Sequence, residues 1–516
     1  MKRPPQAQRA RLAPLSGWLR LALCCLAASP VTAQTLRADA EVTTTATATN
    51  NSRYSDSGDR PSDLVLDVAP RVRLERRGAR LDLSAEAGLN ALHYTGGTRP
   101  SRVLPEGRLR LRSEPVEQWV HVDADALVEQ SATEAFSGRA ELSSSVDLAT
   151  TTRLRLAPYV ERRLTSSLSL LARTEHDWTR REGDELQPDQ ERVYQQRHLV
   201  RLARQPLPFG FDAEWSKEDA SYGGDSVSAL EIETLRAVAS YAFDPELVLG
   251  VIAGHERSSF FGSTESDGLY GLRLQWAPTE RTALDAVVER RFLGTGWQLR
   301  WQHRSPFIAF HLSSSRQPVV QGTSQELGEG GGDVASLLDA ILTTRHPDPV
   351  QRAALVQDMI QRLGLPTQLI GPVELFSNYA QLEQDTTASI ALLGRRTTLT
   401  ASVYMRKLER LRRDDDPFAG VAVGTADSEQ RGLLVNVNRR LTPTTQGDVR
   451  LSWTQVEGLG LLEGSRSREK ALRVSLHHNL SPRSFVTFGV RRQLLDSNVS
   501  GPSQESAAFA GLGHRF

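Results

Sequence analysis

The side chains that could support catalysis or bind a metal are scattered along the chain. Gly224-Asp225-Ser226 resembles the start of a lipase block, but it lies mid-chain in a predicted loop, where these residue types are ordinary. His477 and His478 are adjacent, so on a strand they would face opposite ways and could not chelate one ion together. Asp414-Asp415-Asp416 could bind a divalent cation bridging lipopolysaccharide, although a solvated loop is favoured because hard cations need ligands from several places.

Assembled catalytic motifs are missing from the sequence. It contains no G-x-S-x-G elbow, no phosphate-cradling Gly-Lys-Ser/Thr loop and no H-E-x-x-H. The two cysteines, Cys24 and Cys25, lie in a segment that we expect to be removed, which would leave no disulfide or thiolate ligand. We therefore predict a protein without catalytic residues, metal or cofactor, and a barrel-embedded hydrolase is the least favoured alternative.

The more informative charged residues alternate with apolar ones. Between Asp63 and Glu75, and again between Ala79 and Asn90, every second residue is apolar and those between are largely charged or polar. Successive side chains of a strand point to opposite faces, so each segment predicts a strand with one apolar and one polar face. On the polar parity, the candidate lumen-facing residues are Arg71, Arg73, Arg80, Asp82, Glu86, Arg110, Asp123, Asp125, Arg273 and Arg300.

Charges of both signs on one wall permit two interpretations. They could pair with each other simply because a barrel interior that faces water is polar. They could instead form a conduit or binding surface for a hydroxyl-rich polymer, or set ion selectivity, with the arginine-rich segments modestly favouring anions.

The alternation continues to the end of the chain and predicts an all-β, transmembrane antiparallel β-barrel. Short turns alternate with long polar loops, and we count about 22 strands, within a range of roughly 16 to 24. The 62 basic and 62 acidic side chains cancel, which argues against a nucleic-acid partner. Mean hydropathy is -0.38, and beyond the N-terminus there is no apolar run of about 18 residues that would form a membrane helix.

A soluble β-sandwich or propeller would also alternate, but two features favour lipid. Aromatic residues lie near segment ends on the apolar parity, as in an interfacial girdle: Trp178, Trp276, Phe292, Trp297 and Trp453. The chain ends in an amphipathic segment closing on Phe516, which resembles the insertion signal read by the barrel-assembly machinery.

The N-terminus predicts export. Basic residues precede the short apolar core from Leu21 to Ala28, and Val31-Thr32-Ala33 is a small-residue cleavage site before Gln34. We assign residues 1–33 to a signal peptide and residues 34–516 to a barrel in the outer membrane of a Gram-negative bacterium. An uncleaved anchor and a lipidated Cys24 are the alternatives.

Residues 317–378 interrupt the alternation with a period of about 3.6. Val334, Leu337, Leu338 and Ile341 have helical spacing, and a second helix is predicted from Pro349 to Leu363, with Asp348 before it and Gly364 after it. Such a helical insert must bury its apolar face. It would either pack on itself as a cap or plug the lumen, as is usual for barrels of about 22 strands.

Several short matches resemble the outer-membrane β-barrel proteins associated with the PEP-CTERM system. They are Arg53-Tyr54-Ser55-Asp56, Ser62-Asp63-Leu64-Val65, Ala69-Pro70, Arg77-Gly78-Ala79-Arg80-Leu81, Trp276-Ala277-Pro278 with Arg281-Thr282, Leu338-Asp339-Ala340, Asp348-Pro349 and Arg352-Ala353. The resemblance implies a link to exopolysaccharide production and exosortase-type protein sorting, and no catalytic residues.

The leading hypothesis is a conduit or assembly component for exopolysaccharide export or for this surface sorting. The expected partners are outer-membrane lipid, lipopolysaccharide, the barrel-assembly machinery, and exopolysaccharide or its export proteins. The alternative is a general diffusion porin without dedicated cargo.

Overall fold

The structure is a computed structural model that describes residues 36–55, 60–132, 136–137, 141, 143–144, 148–183, 192–223, 230–260, 263–319, 334–343, 345–363, 380–411 and 427–516. The expected signal peptide with its Ala33–Gln34 cleavage site, the Gly224-Asp225-Ser226 segment and the Asp414–Asp416 run lie outside these residues.

The described chain forms one sheet of 22 strands, which confirms the predicted number. The strands are β1 (Arg37–Thr49), β2 (Asp63–Arg76), β3 (Leu81–Tyr94), β4 (Arg102–Val116), β5 (Val120–Ala132), β6 (Leu148–Arg163), β7 (Leu168–Glu182), β8 (Arg192–Arg204), β9 (Phe209–Tyr222), β10 (Leu230–Asp244), β11 (Leu247–Phe260), β12 (Ser263–Thr279), β13 (Thr282–Arg291), β14 (Gly294–Arg304), β15 (Ile308–Val319), β16 (Gln381–Leu393), β17 (Thr397–Arg410), β18 (Ser428–Arg440), β19 (Thr445–Gly458), β20 (Arg466–Asn479), β21 (Ser484–Ser497) and β22 (Ser503–Arg515).

Each strand pairs antiparallel with its sequence neighbours, and the first strand pairs with the last. The β1–β22 register runs from Glu41 opposite Arg515 to Thr49 opposite Ala507. This pairing closes the sheet, so every strand has a hydrogen-bonding partner on both sides. The Phe516 backbone N–H continues the ladder by donating to the Ala40 carbonyl. An even strand number places the first and last strands' free ends on the same side, where the turns are short.

The period-two pattern becomes the two faces of the wall. On β2, Leu64 and Val72 are 43% and 47% exposed, whereas Arg71 and Arg73, on either side of Val72, form ion pairs. Side chains from non-adjacent strands converge only on the concave face of a closed sheet, so the arginine face lines the lumen. The convex face is apolar over most of its height, and together these features are those of a transmembrane barrel of the outer-membrane type.

The aromatic girdle is confirmed in part. Trp178 and Trp276 are exposed on the convex face near strand ends, as predicted. The indole N–H of Trp297 donates to Ser314 of the neighbouring strand. Phe292 does not belong to the girdle, because it lies in the tight β13–β14 turn and packs on a buried cluster that includes Tyr222 and Ile232. The sequence pattern missed this because a two-residue turn lets its side chain leave the strand parity.

The predicted helices are present as α1 (Val334–Leu342) and α2 (Pro349–Leu363). Among the described residues, no helix is long and apolar enough to cross a membrane. The insert that carries them is slightly displaced from 317–378, since β15 continues to Val319 and β16 begins at Gln381. The polar composition of the sequence also predicts one of the long loops between Arg257 and Ser266. This prediction is wrong, because β11 and β12 remain paired up to Phe260 and Ser263.

We predict that replacing Phe516 with Ala lowers the amount of assembled barrel in the outer membrane. Phe516 is 69% exposed and packs edge-on against His514, so its loss costs little packing in the finished barrel. A fall would therefore report on assembly rather than on stability. Heat-modifiable electrophoretic mobility of isolated outer membranes measures it.

Phe516→Tyr is the matched control and should assemble normally, because it keeps the aromatic ring. Equal yields of the Ala variant and the wild type would remove Phe516 as an insertion signal.

Candidate functional site: the barrel lumen

The predicted charged residues on β2, β3 and β4 form ion pairs along the inner wall. Arg71 on β2 reaches over β3 to Glu106 on β4, with 2.6 Å between Nε and Oε1. Gly88 on β3 makes this possible, because a Cβ there would lie 2.9 Å from Arg71 Cγ and 3.0 Å from Glu106 Oε1. Arg73 pairs with Glu86 on the adjacent strand at 2.7 Å. These residues line the lumen as predicted by their parity, and they pair with each other.

The predicted residues on β4 and β5 belong to the same inner surface. Arg110 lies 3.4 Å from Asp125 on the next strand. Asp123 lies 3.7 Å from Arg173, which is on β7 and therefore two strands away. Both acidic side chains are largely shielded from solvent, so the contacts neutralise charge that the wall would otherwise present.

The remaining candidates are spread around the barrel. Arg273 on β12 pairs with Asp285 at 3.3 Å and approaches Asp212 on β9 at 3.8 Å. Arg300 lies opposite Asp285 in the β13–β14 register and is exposed to the lumen. Asp82 lies opposite Arg112 near the short-turn end of β3 and is exposed.

Arg80 is a correction to the predicted lumen set. It precedes β3 in a short turn, and its exposed guanidinium pairs with Glu117 of the neighbouring β4–β5 turn. Arg80 has the same parity as the inward-facing residues of β3, but β3 begins one residue later, at Leu81. Arg80 therefore lies at the rim of the barrel and not on the wall.

Several more deeply buried pairs were not among the candidates. Arg153 on β6 contacts Asp177 on β7 at 2.5 Å, and Arg155 contacts Glu175 at 2.8 Å. Further pairs of this kind join Arg236 to Glu289, Arg291 to Glu256 and Arg406 to Glu383. Parity places Arg153 and Arg155 on the inner face, but the register between strands decides which charges meet.

The described residues between β5 and β6 that contact the inner wall include Glu141, Ser143 and Ser144. Glu141 in this loop accepts a hydrogen bond from Arg473 of β20 at 2.8 Å. Desolvation raises the pKa of Glu141, but the charges of Arg473 and Arg491 and the hydrogen bond lower it further, so the net shift is downward. Glu141 is therefore a carboxylate at neutral pH and ties the loop to β20, a strand that is not adjacent to β5 or β6.

A second anchor of this loop is a buried ion pair on the last two strands. Arg491 of β21 and Glu505 of β22 lie 2.9 Å apart, and their side chains are 5% and 0% exposed. Arg491 donates to the hydroxyls of Ser143 and Ser144, and Ser144 donates to Glu505. Thr49 of β1 donates a further bond to Glu505. The loop is thus held where the first and last strands meet.

The helical insert also lies inside the barrel. Leu337, Leu338 and Ile341 of α1 pack in one cluster with Val356 and Ile360 of α2. The wall residues of that cluster are Ala309 on β15, Ala391 on β16 and Leu434 on β18, all buried and on the inner parity.

The depth of the insert distinguishes a plug from a surface cap. The insert leaves the wall at Val319 and returns at Gln381, both at the long-loop end. The Arg345 guanidinium, between the two helices, nevertheless lies 4.9 Å from the ring centre of Phe307 in a short turn at the opposite end. The described helices therefore contact the barrel close to its short-turn end, which favours the plug over the surface cap.

The two helices are joined by a polar clamp. Arg352 Nε donates to Asp339 Oδ1 at 2.7 Å, and the same guanidinium donates to the carbonyls of His346 and Pro347. The clamp holds α1 and α2 together as one unit.

We predict that Arg491→Leu destabilises the barrel by roughly 3–5 kcal/mol, because Glu505 would keep a buried and uncompensated charge. The double variant Arg491→Leu/Glu505→Leu should lose much less. Urea unfolding in detergent micelles measures both.

The exposed pair provides the control: Arg80→Leu should cost about 1 kcal/mol or less. An equal loss in the Arg491 and Arg80 variants would show that the buried anchor contributes nothing special.

No protein-family model matches the sequence, and no curated protein matches it. Similar solved structures include the siderophore receptor PirA from Pseudomonas aeruginosa, with 11% identity, 94% of this chain and 81% of that chain covered, and a TM-score of 0.44. A variant of the ferric enterobactin receptor PfeA from Pseudomonas aeruginosa, bound to enterobactin, has 10% identity, coverage of 94% and 82%, and a TM-score of 0.45. OccAB2 from Acinetobacter baumannii has 8% identity, coverage of 93% and 98%, and a TM-score of 0.33. At such identities and TM-scores, these likenesses carry no information on what this chain transports or binds.

Proposed function

We propose that this outer-membrane barrel is a gated conduit for a polar, hydroxyl-rich polymer, with the helical insert as its gate. The observation that carries the proposal is that α1 and α2 pack on the inner wall, deep in the lumen. A barrel wide enough for about 22 strands would otherwise enclose an open channel. The polymer class comes from the resemblance to the PEP-CTERM-associated barrels, so the cargo would be exopolysaccharide or the proteins sorted with it.

The contacts between the helical insert and the inner wall support the proposal that the insert moves. The insert packs on Ala309, Ala391 and Leu434 through aliphatic side chains, and Arg345 contacts the ring of Phe307. Its described ion pair, between Arg352 and Asp339, lies within the insert. The β5–β6 loop, by contrast, is held by charged groups. Separating apolar contacts leaves no buried charge without a partner, so we infer that the insert, and not the β5–β6 loop, is the part of the lumen suited to open.

The alternative is a general diffusion porin. Its wall of ion-paired charges would suit small polar solutes, and the porin requires that the lumen conduct without any change in the insert. Both proposals assign the partners to outer-membrane lipid, lipopolysaccharide and the assembly machinery, and neither gives any side chain a catalytic role.

We predict that Leu338→Asp/Ile341→Asp raises single-channel conductance in planar bilayers at least several-fold over a nearly silent wild type. Both side chains are buried against the wall, and a carboxylate there would be stripped of water without a partner. The insert would then leave its seat while the barrel stays closed.

Ala354→Asp/Gln357→Asp is the matched control, because these exposed positions of α2 carry the same added charge. It should remain silent. A large steady current through the wild type would favour the porin, and silence of the unseated variant would contradict the gate.

The cargo needs a cellular test. Deleting the gene should reduce surface polysaccharide or mislocalise sorted surface proteins in a strain that makes both. Unchanged polysaccharide and unchanged sorting would remove this cargo and leave the gate to be judged by conductance alone.

A further inference from the structure

The part of the wall beneath the insert differs chemically from the rest of the lumen. Elsewhere the inner face carries arginines paired with acidic residues, but here it carries hydroxyls and amides. We call this surface the neutral strip, and its members are Ser389 on β16, Thr398, Thr400 and Ser402 on β17, and Asn436 and Asn438 on β18.

Strand register makes the strip continuous. Ser389 lies opposite Ser402, Thr400 opposite Asn436, and Thr398 opposite Asn438. One charge of each sign borders it on β19, where Arg450 faces Asn436 and Asp448 faces Asn438. The strip is therefore a compact patch without net charge, rich in both donors and acceptors.

The insert covers this patch. Its α1 packs on β15 and β16 and its α2 on β18, so β17 between them lies under the helical pair. Ser389 is 1% exposed, and Thr400 and Asn436 are 0% exposed, although a lumen wall without the insert would present them to water.

The covered hydroxyls of the neutral strip lie beneath aliphatic helix faces. Within the part of the chain that the structure describes, the Ser389 and Thr400 hydroxyls have no hydrogen-bond partner. The nearby helix faces are aliphatic, with Val356 and Ile360 buried towards the wall. Hiding such a hydroxyl from water without a hydrogen-bond partner is unfavourable, because the desolvation is not compensated. The closed state thus keeps hydrogen-bonding capacity that it does not use.

We propose that the neutral strip is a binding site for an uncharged, polyhydroxylated chain, such as a neutral oligosaccharide, which takes the place of the insert. Sugar hydroxyls both donate and accept, as serine, threonine and asparagine side chains do, and an anionic ligand would find no net positive charge. A ligand that binds only when the insert is away shifts the population towards the open state. The inference rests on the proposed gate and adds the surface and ligand that would favour opening.

The test uses the full chain in planar bilayers, with Leu338→Asp/Ile341→Asp to unseat the insert and maltohexaose as the probe. Maltohexaose should block the current, and adding Ser389→Ala/Thr400→Val/Asn436→Leu should raise the half-blocking concentration about tenfold or more, as for the loss of roughly one ligand hydrogen bond. An equally long oligogalacturonate, which is anionic, should be affected much less by these three changes.

Ser131→Ala/Thr151→Val is the matched control on the far wall, where these two hydroxyls bond to each other at 2.7 Å. It should leave the half-blocking concentration unchanged. Absence of a maltohexaose block, or an equal effect of the two wall variants, would overturn the strip, whereas an unseated variant without current would overturn the gate itself.

A second measurement addresses the closed state. Ser389→Ala/Thr400→Val in the otherwise unchanged chain should keep the insert seated at least as firmly as in the wild type, because removing an unpartnered buried hydroxyl removes its desolvation cost. Protease cleavage of the insert in micelles should be no faster than in the wild type. Faster cleavage would show that these hydroxyls are needed to hold the insert and would contradict the proposal.

Discussion

Backbone hydrogen bonding in lipid is the constraint on which the rest of this structure depends. A strand in hydrocarbon has no water to pair with, so a sheet must close on itself to leave no edge. The β1–β22 pairing provides the closure. Once closed, the sheet has a convex face in contact with lipid and a concave face in contact with the lumen. The alternation of apolar and charged residues is the sequence form of that division.

Closure of the sheet also encloses a wide lumen. A ring of this many strands is too wide for its own side chains to fill. The inner wall is stabilised by ion pairs such as Arg153–Asp177, and the remaining space is entered by two segments of different character. The β5–β6 loop is tied by Glu141 and by the Arg491–Glu505 pair, whereas the helical insert rests on aliphatic contacts. The two segments therefore differ in how they are held, the first through charged groups and the second mainly through aliphatic contacts.

The sequence predicted the elements better than their assembly. Period-two alternation identifies strands because each residue's environment follows from its own parity, and Asp348, Pro349 and Gly364 mark the second helix by local backbone chemistry. The pairs Arg71–Glu106 and Asp123–Arg173 could not be predicted, because they skip strands and depend on register and tilt. Phe292 was misplaced for a related reason, since a tight turn rotates its side chain off the strand face. The neutral strip was also missed, because uncharged residues on the inner parity carry no signal until the helices are placed above them.

The claim that matters most is that α1 lies against the inner wall of the assembled barrel. Cysteines introduced at Ile341 and Ala309, which share one buried cluster, should be joined by a short bismaleimide crosslinker in intact outer membranes. We expect an efficient crosslink and a barrel locked without conductance. Failure to crosslink, with both cysteines freely labelled by a membrane-impermeant thiol reagent, would place the helices outside the lumen and contradict it.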